Sequence, residues 1–527
     1  MKRRDLLKAG VAGATALAAP RIGSAASANQ ITFTPHADLA SIDPVWTTAD
    51  ITRNFSLAVF DTLYAYDAEF KVQPQMVEGA TTSNDGKQWE LTLREGLKFH
   101  DGEPVLAKDC VATINRWSKR NPFGDALMAR TDELSGASDK VIRFRLKEPF
   151  PLLPAALAEV YCAIMPERIA KTDPYRQIPE AIGSGPFKYI ASERIPGQRV
   201  AYEKNTAYVP RKTGQPSFNA GPKIVYVDRV VWNFIPDPAT ASAALTQKEI
   251  DWWENPQLDL VPALKRNTDL TLTVKDRTGE IGCLRFNSLF APFDNPAIRR
   301  VVVEAMDQKE IMEGVAGSAP ELIKTDVGIF VPGTPMASTA GVEITRGPKN
   351  YDKLKADLKA AGYNGEKVVI LACASIPVIY AAAQVAEDAL KKLGINTDFQ
   401  SLDWSTVVAR RASQQPIEKG GWNIFYTYLG GFGNISPAPN IAIRGTGTKG
   451  NWFGWPTDAK MEELRDAWFG APNIAEQQKL CEAMQVQFWK NPPYAPLGMY
   501  FQPTAFQKYM QDVRDGWPQF YGVKKNV

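Results

Sequence analysis

Histidine, which often carries out acid–base and metal chemistry, is scarce in this sequence. It contains two histidines, His36 and His100, too few for a zinc cluster or a pair of haem ligands. His100 lies in a tight turn and is expected to be structural. His36 follows the first predicted strand and is a candidate pocket residue. We therefore expect no metal and no cofactor.

Motifs for nucleophilic catalysis or phosphate binding are also missing. The sequence has no G-x-S-x-G elbow and no Walker loop. Gly445–Gly450 matches G-x-G-x-x-G, but Gly454 and Pro456 follow it where a dinucleotide site needs a helix. Acids such as Glu254 and Asp403 could form a carboxylate pair, although their spacing does not set them apart. No catalytic residue is predicted.

Aromatic residues are the positive signal for a binding site. They crowd the predicted strand ends in the second half of the chain, at Trp404, Trp422, Tyr426, Tyr428, Phe432, Trp452 and Trp455. Ligands of open α/β sheets bind outside the carboxyl ends of the strands, and rings with polar tips suit a pocket that excludes water. Any single ring could instead pack between layers, so the cluster as a whole favours a pocket.

The elements that must position these aromatics form a β-α-β-α-β unit. The pattern predicts strand, helix, strand, helix and strand in turn over Lys367–Ala372, Ile379–Leu393, Ile395–Phe399, Asp403–Arg411 and Trp422–Tyr428. β-Branched runs indicate the strands, apolar residues at helical spacing the first helix, and Gly394 ends that helix. This order predicts a parallel sheet with helices on both faces.

The region before residue 219 has a different pattern. Trp89–Leu93 and Val141–Leu146 read as strands, and they lie between turn clusters such as Asn84-Asp85-Gly86. This alternation predicts a mixed and more antiparallel subdomain.

The first 28 residues have the pattern of a cleaved export signal. The basic start, Lys2-Arg3-Arg4, precedes a short apolar run and an Ala26-Ser27-Ala28 end. The paired arginines are typical of twin-arginine export. The net charge of +3 resides in this leader, so the rest offers no electrostatic case for a nucleic-acid partner. We expect a soluble periplasmic protein. The five cysteines are too scattered to indicate a disulfide framework.

From about residue 29 to residue 520 the chain resembles the family-5 extracellular solute-binding proteins, the dipeptide and oligopeptide receptors of ABC importers. The matching segments occur in the family's order: Asp43-Pro44, Phe60–Tyr64, Gly96–Pro104, Gly183–Phe187, Phe286-Asn287 with Pro292–Pro296, and Tyr351–Tyr363. Each match is weak alone, and the ordered set is specific.

The resemblance implies an α/β, two-lobed periplasmic-binding-protein fold that closes like a flytrap. Lobe I would comprise residues 29–275 plus 490–527, with an extra mixed α+β subdomain inserted at 48–180, and lobe II would comprise 276–489. The implied partners are a peptide-like ligand and a permease in the inner membrane, and the protein is expected to act as a monomer. An exported hydrolase and a sensor or chemotaxis receptor on the same fold are the alternatives.

The ligand-binding residues predicted on this basis come from both lobes. They are His36, Trp46 and Ser184 in lobe I and Trp404, Tyr426, Tyr428, Gly431 and Phe432 in lobe II. Peptide receptors of the family usually carry an aspartate after the strand that corresponds to Trp422–Tyr428, where it pairs with the peptide ammonium. The segment Tyr428–Pro437 contains no acid, so we expect a ligand without an ammonium group there, such as a modified peptide, opine, sugar conjugate or aromatic compound.

Overall fold

The computed structural model describes residues 29–526, apart from residues 318, 450 and 451. The predicted export signal, residues 1–28, lies outside this range. Among the described helices, none is long and apolar enough to cross a membrane.

The first of two large sheets has seven strands of mixed direction. In spatial order they are Leu270–Val274, Pro503–Gln507, Trp252–Trp253, Gln30–Thr34, Arg229–Asn233, Arg199–Lys204 and Phe187–Tyr189. The central strand, Gln30–Thr34, is parallel to both of its neighbours, whereas the outer pairs are antiparallel. Phe33 on this strand lies among Trp232, Trp252 and Phe520, so the sheet packs on an aromatic core.

The second large sheet has six strands and contains the predicted parallel unit. Its spatial order is Ile323–Lys324, Tyr494–Tyr500, Glu280–Phe286, Ile424–Gly430, Lys367–Cys373 and Asn396–Leu402. The last three strands are parallel to one another, and the helices Pro377–Lys392 and Trp404–Arg411 connect them. The Asp403 side chain caps the second helix by accepting the Thr406 N–H at 3.0 Å. The predicted α/β unit is thus confirmed, with strand limits shifted by a few residues.

The early part of the chain forms the predicted antiparallel region. A four-stranded antiparallel sheet has the order Val77–Ser83, Gln88–Leu93, Val141–Leu146 and Thr131–Gly136. The helix Ala107–Trp117 packs on it. Two further strand pairs are Tyr64–Tyr66 with Val72–Pro74 and Met510–Gln511 with Lys524–Lys525.

The remaining α-helices cover these sheets. They are Asp50–Val59, Pro122–Ala129, Leu153–Ala156, Glu167–Ala170, Pro238–Thr246, Val261–Lys265, Pro296–Ala305, Gln308–Ala316, Tyr351–Ala360, Ala459–Phe469 and Ile474–Lys490.

The chain passes between the two large sheets through residues 275–279 and through residues 501–502. The first lobe comprises the seven-stranded sheet, the segments between its strands up to Val274, and the C-terminal segment from Pro503. The second lobe is the six-stranded sheet with the helices between its strands. The architecture is the expected two-lobed fold, while the residue limits predicted for each lobe stay a prediction.

A buried ion pair fixes the start of the first lobe. Asp43 and Arg116 are both buried, and the guanidinium donates to the two Asp43 carboxylate oxygens at 3.0 and 2.7 Å. Asp43 also accepts backbone N–H groups from Val45 and Ile178. The Asp43-Pro44 motif therefore has a structural role, since one carboxylate joins three distant segments.

We expect Asp43→Asn to lower the free energy of unfolding by about 3–5 kcal/mol, because it leaves the Arg116 charge buried without its partner. Guanidinium unfolding followed by circular dichroism measures this loss. Asp139→Asn, at an exposed position, is the control and should change stability by less than about 0.5 kcal/mol. Equal effects of the two substitutions would contradict this role for Asp43.

Candidate ligand-binding site

A cleft opens where the two lobes meet, beside both crossing segments. Its empty volume is about 650 Å³, a figure that includes space open to solvent. Both lobes and both crossings supply its walls, through His36, Asp50, Arg53, Trp252, Glu254, Asn255, Lys275, Asp276, Gly279, Glu280, Gln502, Thr504, Gly516, Trp517 and Pro518. The cleft is lined by charged groups of both signs.

Strand ends place His36 and Glu254 side by side. His36 follows the strand Gln30–Thr34, and Glu254 directly follows the neighbouring parallel strand Trp252–Trp253. The carboxyl ends of parallel strands share one edge of a sheet, which is where ligands of such sheets bind. Glu254 Oε2 accepts the His36 backbone N–H at 2.8 Å and lies 2.7 Å from His36 Nδ1. The other carboxylate oxygen of Glu254, Oε1, accepts a hydrogen bond of 2.7 Å from Asn54 Nδ2.

This pair sets the charge of His36. Burial by itself would lower the pKa of His36, but the attraction of Glu254 and the hydrogen bond to it outweigh burial and raise that pKa above 6.5. Burial would likewise raise the pKa of Glu254, and His36 reverses this and lowers it. The imidazole is one-quarter exposed, and its Nε2 makes no hydrogen bond within the described part of the chain, so a protonated His36 can donate to a ligand.

The first turn of the helix Asp50–Val59 brings a guanidinium to the cleft. Arg53 Nη1 donates to Asp50 Oδ1 at 2.7 Å, and its guanidinium carbon lies 4.3 Å from the centroid of the Trp517 ring. Arg53 is thus held between a carboxylate and an aromatic face.

Two more carboxylates, Asp276 and Glu280, come from the crossing and from the strand that follows it. Burial raises the pKa of Asp276, although the N–H and hydroxyl of Thr278 donate to its Oδ1 at 2.8 and 2.6 Å. Burial, and then the charges of Asp50 and Asp276, raise the pKa of Glu280 well above its usual value. Within the described residues, no hydrogen bond or ion pair engages the Glu280 carboxylate. Burial and neighbouring acids thus disfavour the charged forms of these two carboxylates, and the nearby charge of Arg53 offsets this only in part.

Of the predicted ligand-binding residues, His36 lines this cleft and the others lie outside its lining. Trp46 is on the surface, 37% exposed. Ser184 is buried, and its hydroxyl has no partner among the described groups. Tyr426 is buried in the second lobe. Half-buried Trp404 packs against the core of the same lobe, with Arg411 over its ring.

Tyr428, Gly431 and Phe432 lie close to the lobe boundary. The Tyr428 hydroxyl donates to the Val378 carbonyl at 3.0 Å, and its ring centroid is 4.6 Å from that of Tyr500. Phe432 is buried among rings of the first lobe. These residues are engaged by the protein, so their contact with a ligand stays a prediction.

The backbone of Gly431 lies very close to the backbone of the crossing segment at residues 278–279. Its N–H donates to the Gly279 carbonyl at 2.7 Å, and a Cβ at this position would lie 1.9 Å from the Thr278 carbonyl oxygen. No side chain fits there, so the acid that is missing from this loop could not be restored at Gly431. Glu280 pairs with Gly430 in the sheet, and its Oε2 would lie 4.0 Å from a Cβ on Gly430. A carboxylate from another strand thus stands beside the acid-free loop.

Sequence reasoning did not identify Asp50, Arg53, Asp276, Glu280 and Trp517. A weak signal exists for Glu280, the single acid in the strand Glu280–Phe286. The other four occupy turns and a helix start with ordinary local patterns.

Two sheets joined by two crossings, with a polar cleft at the joint, define the class of two-lobed periplasmic binding proteins. Two solved structures share the fold with TM-scores of 0.77. One is AgaA from A. tumefaciens R10 in complex with agropinic acid, 22% identical, with the match covering 94% of this chain and 99% of that chain. The other is a dipeptide-binding protein from Pseudoalteromonas sp. SM9913 in complex with Met-Leu, 18% identical, covering 94% and 100%.

The family model for the bacterial extracellular solute-binding proteins, family 5 (middle part), matches residues 71–452, and the chain belongs to this family. A probable peptide ABC transporter periplasmic-binding protein, y4tO of Sinorhizobium fredii, is 36% identical over 513 residues, 96% of each chain. The glutathione-binding protein GsiB of Pectobacterium atrosepticum is 24% identical, covering 81% of this chain and 78% of that protein. The chain is therefore the substrate-binding component of an ABC importer and not an enzyme. The predicted family is confirmed.

The His36–Glu254 pair should make stability depend on pH. A raised His36 pKa contributes stability that is complete below pH 6.5 and is lost as the pH rises through the folded-state value. A lowered Glu254 pKa contributes stability that is present above pH 4.5 and is lost in acid. We expect His36→Gln to reduce the fall in melting temperature of the ligand-free protein between about pH 6 and about pH 9, as measured by differential scanning fluorimetry.

The other histidine provides a contrast of opposite sign. Burial lowers the pKa of His100 to about 4. The Nε2 atom of its ring lies 3.1 Å from the Gly185 carbonyl oxygen. A lowered histidine pKa contributes stability above pH 6.5 that is lost as the pH falls. His100→Gln should therefore flatten the acid side of the profile and leave the alkaline side unchanged. The same profile for both variants would refute the assigned shifts.

Proposed function

We propose that this cleft captures a small organic ligand that presents a cationic group to Glu280. The protein would act in the periplasm as a monomer and deliver the ligand to an ABC permease in the inner membrane. The leader pattern of residues 1–28, with its paired arginines, supports export through the twin-arginine route. The name of the y4tO relative supports a periplasmic location and peptide-like ligands.

The partnerless carboxylate of Glu280 carries this proposal. The other cleft charges are already matched within the protein, since His36 pairs with Glu254 and Arg53 with Asp50. Lys275 is engaged elsewhere, because its ammonium donates to the Val513 carbonyl at 2.7 Å and to Asp515 at 3.2 Å. A desolvated carboxylate without a counter-charge is costly. An ammonium or guanidinium group on the ligand would supply that counter-charge.

This reverses the ligand class expected from the Tyr428–Pro437 loop alone. That expectation assumed that an acid missing from the loop is missing from the site. Glu280 brings a carboxylate beside Gly430 from the neighbouring strand, so ligands with an ammonium group become the favoured class. Free peptides belong to it, as do opines and other compounds that keep a basic nitrogen.

Neighbouring groups would complete recognition. Trp517 and Trp252 both line the cleft and contribute to its apolar surface. A protonated His36 would donate from Nε2 to a ligand oxygen. Arg53 lies between Asp50 and Trp517 and is placed to favour a carboxylate on the ligand.

Native mass spectrometry of the mature protein, purified without refolding, identifies the ligand class directly. We expect a single co-purified compound that contains a basic nitrogen and keeps its mass during incubation. A co-purified compound without any basic nitrogen would contradict the proposal. If the protein emerges empty, calorimetric titration with Met-Leu, glutathione and agropinic acid supplies the comparison, and at least one amine-bearing ligand should bind.

Glu280→Gln should weaken binding of the amine-bearing ligand by about 2–5 kcal/mol, since it removes one partner of a desolvated charge pair. Wild-type affinity should rise with pH through the range in which Glu280 ionises, because a cation binds its charged form. The variant should lose this pH dependence. Isothermal titration calorimetry at several pH values measures both effects.

The same substitution should raise the melting temperature of the ligand-free protein near neutral pH. A raised carboxyl pKa means that ionisation destabilises the fold as the pH rises above 4.5. Glu482→Gln, at an exposed position on the helix Ile474–Lys490, is the matched control and should alter neither affinity nor stability. Unchanged affinity in Glu280→Gln would exclude Glu280 as the cation partner.

A further inference from the structure

Two phenylalanines of the second lobe are buried among aromatic residues of the first lobe. Phe432 is 8% exposed and Phe469 is 4% exposed. They lie in different parts of the second lobe, one just after the strand Ile424–Gly430 and the other at the end of the helix Ala459–Phe469. Neither lines the ligand cleft.

Phe432 is enclosed by three rings of the first lobe. Its ring centroid lies 5.3 Å from that of Tyr66, 5.8 Å from Phe218 and 4.7 Å from Trp517. The Trp517 contact is edge-to-face, a favourable geometry for aromatic pairs. Trp517 also touches Arg53 at the cleft, so it contacts both Phe432 and a ligand-site residue.

Phe469 is held in the same manner by the inserted subdomain. Its ring centroid lies 5.9 Å from that of Phe123 and 6.0 Å from that of Phe150, and the pair with Phe150 is stacked. The Arg130 guanidinium lies 5.5 Å from the Phe469 ring centroid. Arg130 also forms an ion pair with Asp466, one turn earlier on the Phe469 helix.

We propose that Phe432 and Phe469 form an aromatic clasp that keeps the two lobes closed when no ligand is bound. Opening about the crossings at 275–279 and 501–502 would pull both rings out of the first lobe and expose them to water. A ligand shifts a two-state equilibrium through its differential contacts, but these contacts belong to the protein itself. They therefore favour the closed state before any ligand arrives.

Ligand capture by such a protein differs from that by a receptor that rests open. The closed state is already populated, so ligand affinity is not reduced by the cost of closing. Entry of the ligand requires transient opening, so association should be slow and limited by that opening. Loss of the clasp should speed association and weaken equilibrium affinity about tenfold if the closed fraction falls to about one tenth.

The test is the distance between the lobes in ligand-free protein. Bound ligand is removed by washing with mild guanidinium and dialysis, and mass spectrometry verifies that the protein is empty. Spin labels are attached at Lys119→Cys in the first lobe and Ile474→Cys in the second, both at exposed positions. The native cysteines are all buried, which restricts labelling to the introduced sites. Pulsed electron paramagnetic resonance then measures the label separation.

We expect one narrow, short distance in the empty wild type and a longer, broader distribution in Phe432→Ala/Phe469→Ala. Phe399→Ala is the control, because Phe399 packs on Tyr380 within the second lobe, and it should leave the distance unchanged. If the double variant does not fold, Asp466→Asn removes the exposed ion pair with Arg130 and should still broaden the distribution.

Two results would overturn the clasp. An empty wild type that shows the long, broad distribution would mean that closure needs ligand. A folded double variant that remains as closed as the wild type would mean that other contacts hold the lobes. Neither result depends on which ligand the cleft binds, so the test is independent of the cation proposal for Glu280.

Discussion

The contact between the backbone of Gly431 and the crossing at 278–279 sets the geometry of the whole lobe junction. Its N–H···O distance of 2.7 Å and the 1.9 Å separation that a Cβ would have from the Thr278 oxygen require glycine there. This approach brings the end of the strand Ile424–Gly430 against the floor of the cleft. Glu280 lies beside Gly430 at this point. Phe432, the next residue after Gly431, packs against rings of the first lobe. One backbone contact thus positions a charged group of the cleft and a ring of the interlobe contact.

The cleft contains charge pairs that are matched within the protein, and we propose that the carboxylate of Glu280 is left for a ligand. His36 with Glu254 and Arg53 with Asp50 are closed pairs that hold the strand ends and the first helix turn in place. Asp276 and Glu280 form no ion pair within the described residues, and the charge of Arg53 lowers their pKa values less than burial and the neighbouring acids raise them. Desolvation raises the free energy of such carboxylates in the empty protein, and a cationic ligand would lower it. A binding site of this kind is less stable empty than a fully paired one would be.

Aromatic burial at the lobe boundary bears on the free energy of lobe closure and not on the charges of the cleft. In the proposed clasp, Phe469 would contribute to closure whatever occupies the cleft, because its ring contacts involve no cleft-lining residue. Trp517 is the exception, since it faces both Phe432 and Arg53. The electrostatics of the cleft would then select the ligand, while the rings outside it would set how often the lobes open. On these two proposals, mostly separate residues would carry selection and closure.

Local patterns in the sequence determined the element types, the parallel unit between Lys367 and Gly430, the antiparallel region and, through ordered motifs, the family. They did so because strand and helix periodicity and capping are properties of consecutive residues. The position of His36 just after a strand was predictable for the same reason, and its contact with a ligand stays a prediction. The cleft itself depends on tertiary structure: Glu254 lies 218 positions from His36, and Glu280 meets Gly430 only through strand pairing. Of the predicted aromatic residues, Tyr426 is buried in the core of the second lobe and Phe432 at the lobe boundary. Burial away from water stabilises an apolar ring more than a place in the wall of a charged cleft does. Which carboxylate remained without a partner was decided by burial and by distances between segments remote in sequence.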